Sequence, residues 1–380
     1  MPREIAWELW KSFEEELPDP RTARGQRHSF KDIVLIAVCG AICGVAGWPA
    51  LEKFAHEVEP WLREFLELRN GIPCHDTFSR VFTGIDVAAF ERCFSKWTRG
   101  LSRADPTLVH IDGKSLRGSA STTLDMKAIH LVSAWASDLG LSLGQVATEE
   151  KSNEITAIPI LLESLLLTGA HVTIDAMGAQ TKIVSDIVEK GADYTISLKG
   201  NQGTLHQEVR DFFEEALATN FKDVPFDFFQ TVEKGHGRVE VRRCWTTPDV
   251  AWFESLADWS VLNSFTLVQS ERTIRGETTV ENRFFISSLP GDSAEKALHA
   301  IRSHWAVESY HWKLDVAFGD DSAKIRNRNG AQNAALLRRI AFTLISQNKT
   351  KAGSLKSKQI AAAVNPNYRK SLLAPLLENA

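Results

Sequence analysis

Two short apolar runs constrain this chain more than any other feature. Val109-His-Ile-Asp112 and Val172-Thr-Ile-Asp175 each read as a buried strand, and each ends in an aspartate. Near-continuous apolar strands belong inside a sheet that is covered on both faces. If the two strands are neighbours, their carboxylates emerge side by side at one edge, where ligand sites of open α/β sheets lie. Taken singly, each aspartate has a plainer reading: Asp112-Gly113 as a turn, Asp175 as the cap of a following helix.

The rest of the chain frames these runs. Residues 1–103 are patterned as helices. Ile5–Leu17 is an amphipathic start, 30–45 is a charge-poor buried helix, and Asp76 and Asp86 cap two more joined by Thr83-Gly84, a spacing open to a helix-turn-helix but also to plain packing. The uncharged run Ile33–Leu51 approaches the length of a membrane span, but its glycines and Pro49 favour a buried helix. After Pro106 the period changes to that of strands: 107–111, 128–136 and 141–147, the last two joined by a hairpin at Asp138-Leu-Gly140. A helix at 156–167, with Pro159 in its first turn, precedes the strand 171–174. A helix at 180–190, the strand 194–198 and another helix to about 217 complete the order. Three antiparallel strands followed by alternating helix and strand is the ribonuclease-H-like plan. The expected fold is therefore α/β: an all-helical N-terminal domain (1–103), then a ribonuclease-H-like mixed-sheet catalytic domain (104–350). A β-rich insertion (222–290) precedes the last catalytic helix, and a basic C-terminal tail (351–380) follows the domain.

A third acid comes from 294–318, which reads as one long helix. Leu298, Ile301, Trp305, Trp312 and Val316 make an apolar stripe, and Glu308 falls in its gap. Asp315 shares that face and is the fallback. Asp320-Asp321 is a weaker candidate. Three converging carboxylates repel one another unless a cation joins them, and hard oxygen donors favour Mg²⁺ or Mn²⁺. Two such ions about 4 Å apart suit in-line phosphoryl displacement. A zinc trio of His304, Glu308 and His311 would leave both aspartates unused. Lys114 and Arg117, after Asp112, and Lys199, Asn201 and Gln202, at the end of a strand on the same edge, are candidate phosphate contacts. Trp305 and Trp312 read as core.

Net charge is −4, but unevenly spread: Ser322 onward carries eleven Lys/Arg against Glu378 alone. A basic end on an acidic body suggests a polyanion partner. The five cysteines are scattered without zinc-knuckle spacing and read as reduced packing residues. The N-terminus, with Glu4 and Glu8, lacks signal-peptide character, so a cytoplasmic, nucleoid-associated protein without a membrane partner is expected.

Several stretches carry a resemblance: HIDGKSLRGS (110–119), AIHLVSAWA (128–136), EKSNEITAIPILL (150–162), TIDAMGAQ (173–180), DYTISLKGNQ (193–202), HGRVEVR (236–242) and IRSHWAVESYHWKLDVAFGDD (301–321), with LPDPR (17–21) and IPCHDTFSRVF (72–82) nearer the start. In order and number they resemble a DDE transposase of the H-repeat-associated insertion-sequence family, over nearly the whole chain. The resemblance implies Asp112, Asp175 and Glu308 as the metal-binding triad, with two Mg²⁺ or Mn²⁺ ions. It also implies cutting of double-stranded DNA at element ends and joining to target DNA, by a homodimer or larger assembly in a synaptic complex. A retired DNA-binding relative and a stand-alone metal nuclease are the alternatives. Related transposases carry tyrosine, arginine and lysine at set spacings around the last acid; here those positions hold Ile301, His304 and Asp315. Arg302, His311 and Lys313 are the candidates to supply the basic contacts.

Overall fold

The computed structural model describes Phe13 and residues 16–101, 105–148, 154–235 and 237–377. Most of the expected amphipathic start at Ile5–Leu17, and part of the expected join at 102–106, lie outside the described residues.

Helix α1 (Phe30–Ile42) starts where the Ser29 side chain accepts the Asp32 amide, and it is buried from Asp32 through Ile42. It ends because Gly44 and Gly47 take positive φ, 75° and 83°. Thirteen residues span about 20 Å, short of the roughly 30 Å hydrocarbon layer. Among the described residues no helix is long and apolar enough to cross a membrane. α2 (Trp48–Glu57), the short turn α3 (Glu59–Leu62), α4 (His75–Gly84) and α5 (Val87–Leu101) follow. The cores of α4 and α5, Phe78, Phe82, Phe90, Phe94 and Trp97, are turned inward, which is plain helical packing.

Nine strands then form one sheet: β1 (Leu108–Leu116), β2 (Ile129–Ala136), β3 (Leu141–Ala147), β4 (His171–Ile174), β5 (Asp193–Leu198), β6 (Asp227–Gly235), β7 (Arg238–Thr247), β8 (Ser264–Ile274) and β9 (Glu277–Ser287), in the order β3-β2-β1-β4-β5-β9-β8-β7-β6. β1, β2 and β3 are antiparallel, and β4 and β5 run parallel to β1. This is the expected ribonuclease-H-like order. The β-rich segment at 222–290 prolongs the same sheet: β9 pairs antiparallel with β5 and so covers what would be its open edge. β6 was not foreseen, because Asp227–Gly235 (DFFQTVEKG) lacks an apolar/polar alternation and none of its residues is buried.

Helices α6 (Glu154–Ser164), α7 (Thr181–Glu189) and α8 (Gly203–Ala218) share one core with one face of the sheet. α6 begins earlier than expected, so Pro159 lies within the helix and not in its first turn. On the other face lie α9 (Ala294–Ser303), α10 (Trp305–Phe318) and α11 (Arg328–Gln347). α9 packs on Cys244, Val268 and Phe285, α10 lays Tyr310 on Trp135 at 4.3 Å, and α11 packs Ala331 and Ala335 on Leu116, Ile129 and Leu131.

The basic end is folded. α12 (Leu355–Val364) and α13 (Pro366–Leu377) join α10, α11 and the N-terminal helices in a single hydrophobic core. Many of its cations are spent internally. Arg369 stacks over Trp61 at 4.2 Å, Lys358 donates to the Ile345 and Asn348 carbonyls near the end of α11, and Arg326 and Arg328 donate to loop carbonyls. The charge excess thus serves packing as well as any polyanion.

A buried polar seam lies where α5, β3, α10 and α11 meet. Arg339 and Asp320 are essentially unexposed, 3.6 Å apart, and Gln145 donates to Glu91 at 2.6 Å. Burial pushes the Glu91 carboxyl up to about 8, against the Gln145 bond and the Arg339 charge. The folded chain therefore keeps a proton that the open chain, near 4.5, gives up. Stability should fall as pH rises between those two values and level off above about 8. Glu91→Gln is expected to raise the unfolding temperature by an amount that grows through this window. An equal gain at both of its ends, in thermal melts, would show Glu91 ionised in the fold.

Candidate active site

β1 and β4 pair in parallel with Ile111 opposite Ile174, so Asp112 and Asp175 occupy the next position on adjacent strands, which run about 4.8 Å apart. Asp112 is not in a turn, since β1 continues through Leu116 with Asp112 opposite Ser133. Asp175 leaves its strand and caps the turn Ala176–Gly178 by accepting the Met177 amide at 2.9 Å.

The third acid arrives differently from the expectation. The 294–318 helix is broken: α9 stops at Ser303 and α10 starts at Trp305, with His304 at the joint. His304 Nδ1 lies 2.9 Å from Thr173 Oγ1, which contacts His110 Nδ1 at 2.6 Å, and His110 Nε2 meets Ser137 Oγ at 2.8 Å. This chain ties the joint to β4 and β1. His304 keeps helical dihedrals, φ −53° and ψ −34°, and α10 buries Val307, Tyr310, His311, Leu314, Ala317 and Phe318. Trp305 and Trp312 are 53% and 63% exposed, and Val316 is exposed beside them, so the expected stripe is a surface face beyond Ile301. Glu308 is on that outer face, not in the core.

Electrostatics link the three acids. Burial pushes the Asp112 carboxyl up, but the hydrogen bond and charge of His311, with His304, outweigh it and hold the group below the usual range. His311 Nδ1 is 3.4 Å from Asp112 Oδ2, and its Nε2 is buried with no partner. Asp175 is raised by burial, by Glu154 and by Asp112, against the Met177 amide and Lys199. Glu308, though on the outer face, is raised by partial desolvation and by Asp112. The donor set is all oxygen and mutually repelling, which fits hard divalent cations. Among the described residues no three His, Cys, Asp or Glu side chains are already gathered as a metal cage, the His304/Glu308/His311 trio included.

Residues 103–344 match the family described as Transposase DDE domain, and residues 10–98 match DDE_Tnp_1-associated. This chain belongs to the DDE transposase family. It is 39% identical over 370 residues to "Putative transposase YncI" of Escherichia coli O157:H7, covering 95% of this chain and 93% of that one. It is 38% identical over 368 residues to "H repeat-associated putative transposase YhhI" of Escherichia coli strain K12, covering 94% and 96%. A solved structure, the piggyBac transposase synaptic complex with hairpin DNA, aligns with a TM-score of 0.46 at 11% identity over 97% of this chain and 78% of that chain.

The other residues singled out in this DDE-family sequence fall into three groups. Arg117, 82% exposed, and exposed Lys199 and Lys313 are open to solvent, although Arg117 lies 3.4 Å from Asp321. Others are committed within the fold. Lys114 is 6% exposed, with Nζ 2.6 Å from Asp315 and 3.2 Å from Asp321, so both it and the fallback acid are paired. Arg302 pairs with Glu233 of β6 at 2.6 Å. Gln202 donates to the Ala176 and Ala179 carbonyls and so braces the turn after Asp175. His311 faces Asp112. Asp320 is buried against Arg338 and Arg339. The side chain of Asn201 lies outside the described residues. Sequence reasoning missed the Ser115–His130–Glu154 cluster beside Gly113, because Glu154 reads as helix-start chemistry. Only the pairing of β1 with β2 brings His130 to it.

Proposed function

We propose that this chain cuts DNA at the ends of an insertion sequence and joins the freed 3′-hydroxyl to target DNA. The observation that carries the reading is the parallel register of β1 and β4, which makes neighbours of two acids 63 residues apart, with Glu308 electrostatically coupled to Asp112. Asp112, Asp175 and Glu308 would hold two Mg²⁺ or Mn²⁺ ions. Bound there, such ions supply activation of a water or 3′-hydroxyl and charge stabilisation at the leaving oxygen. The chain itself positions these acids: His311 orients Asp112, the Met177 amide orients Asp175, and the His304 joint sets where α10 begins over the strand ends. Arg117, Lys199 and Lys313 face outward near this edge and would hold the phosphodiester backbone. The assembly that pairs two ends would be a dimer or larger.

The test is divalent-dependent nicking and strand transfer on DNA carrying the element's own terminal repeats. Strand-transfer products support the proposal; nicking without joining would reduce the chain to a nuclease, and end binding without nicking in Mn²⁺ to a retired relative.

Two lysines should part company in this assay. Lys199→Ala is expected to lower the salt dependence of DNA binding by about one phosphate contact with little change in stability. Lys114→Ala removes the cation between Asp315 and Asp321 and is expected to cost about 1–3 kcal/mol of stability, with the salt slope unchanged. Thermal melts and binding isotherms over a salt series check both. A reduced slope for Lys114→Ala would return that residue to the DNA surface.

A further inference from the structure

We propose that Lys114 is a positioning residue for this reaction: its ammonium, held between Asp315 and Asp321, fixes how α10 lies along β1 and so where Glu308 stands relative to Asp112. The proposal rests on the reading given under the proposed function, and it gives Lys114 no contact with DNA or metal. Side chains two apart on a strand share a face, so Asp112 and Lys114 point the same way from β1. Residues four apart on a helix also share a face. Asp112 meets His311 at 3.4 Å, and Lys114 meets Asp315 at 2.6 Å. Two strand residues advance about 6.7 Å and four helix residues about 6 Å. The two contacts are therefore successive rungs of one ladder, with helix and strand running in the same direction. Glu308 lies about one turn before the first rung.

The second rung is the firmer one. An acid in the last turn of a helix opposes the helix dipole, which favours cations there, so α10 by itself does not explain Asp315. Its partner Lys114 is almost fully enclosed, and an ammonium so placed is costly unless anions meet it. Two do: Asp315 at 2.6 Å and Asp321, from the turn after α10, at 3.2 Å. The backbone closes the same joint. A Cβ built on Gly118 would lie 2.5 Å from the Ala323 carbonyl oxygen, and Arg326 donates to the Gly118 carbonyl at 2.8 Å. The segment that follows Asp112 and the segment that follows Glu308 are thus fastened through side chains and through main chain. The first rung, with 3.4 Å between its atoms, is looser, so the angle of α10 over the strand depends on Lys114.

The experiment compares hydrogen exchange across residues 305–318 with calorimetric titration of the full chain by Mn²⁺ without DNA. Lys114→Met keeps most of the stem and removes the charge. Amide exchange in α10 should quicken about tenfold. Mn²⁺ should bind roughly tenfold more weakly, the low end of the cost of losing a group that orients ligands. On DNA carrying the terminal repeats, at saturating Mn²⁺, the nicking rate should fall by up to about a hundredfold with DNA affinity unchanged. Asp315→Asn breaks the same rung from its more open side; it should give the same changes in lesser degree, and it serves if the first variant does not fold. Faster exchange with wild-type Mn²⁺ affinity would make the rung a brace for stability alone and overturn the proposal, as would unaltered exchange in α10. Asp112→Asn separates the two readings. If it too binds Mn²⁺ as wild type does, the centre is misplaced and the role of Lys114 falls with it; if it alone loses binding, the centre stands and only Lys114 is rejected.

Discussion

Replacing Asp112 with asparagine should remove divalent-dependent DNA cleavage while leaving the fold and DNA binding in place. Asparagine keeps the shape of the side chain and can still face His311, whose Nδ1 is 3.4 Å away. What goes is the charge that the centre needs to hold a cation. Metal catalysis of this kind is worth several kcal/mol of transition-state stabilisation, and each 1.4 kcal/mol or so is tenfold in rate. The expected loss is on the order of a thousandfold or more. DNA affinity, measured at one salt concentration, should hold or improve, because a negative charge has left the surface that meets phosphates. A folded Asp112→Asn protein that nicks at wild-type rate would end the assignment of this edge as the active site.

The second large effect lies away from the chemistry. Arg339 is fully buried and faces Asp320, whose Oδ2 has no closer partner; burial alone would raise the Asp320 carboxyl, but Arg339, Arg338 and Lys114 hold it below the usual range. Arg339→Met would leave a buried carboxylate half-compensated, and breaking a buried pair from one side costs about 3–5 kcal/mol. At roughly 2–4 °C per kcal/mol for a chain of this class, the melting temperature should drop by about 10 °C. Asp320 follows Gly319, the left-handed cap that ends α10, so the same change should loosen the helix carrying Glu308. Adding Asp320→Asn should recover part of the loss. A melting temperature within a degree or so of wild type would show that the seam is already neutralised by other means.

The acids at 112 and 175 were legible because strand burial and strand end are local signals: an apolar run, then an aspartate. The order of the first five strands followed from the spacing of such runs. The face of α10 was not legible. Two apolar sets, Trp305/Trp312/Val316 and Val307/Leu314/Phe318, each fit helical spacing, and only the tertiary core that the second set joins decides between them. That core is built from residues far away in sequence, such as Trp135 and Phe342. Glu308 was singled out from a stripe that turned out to be surface. Lys114 illustrates the same limit: beside Asp112 it reads as a phosphate contact, and only the return of the chain at 315–321 supplies its acids. The ordered tail was hidden for a compositional reason, since its lysines and arginines mask apolar positions such as Tyr368, Leu372 and Leu373.

That last feature bears on synthesis. Helix α1 and its neighbours leave the ribosome long before residues 336–373, which supply part of the surface that covers Ile33–Ile42. Until then the nascent chain carries an oily wall with nothing to lie against, the condition under which large proteins misassemble. A copy of the gene cut short by a stop codon between residues 309 and 336 would lose those covering residues with Asp112, Asp175 and Glu308 intact. Its product should collect in inclusion bodies and not persist as a soluble competitor of the full-length protein.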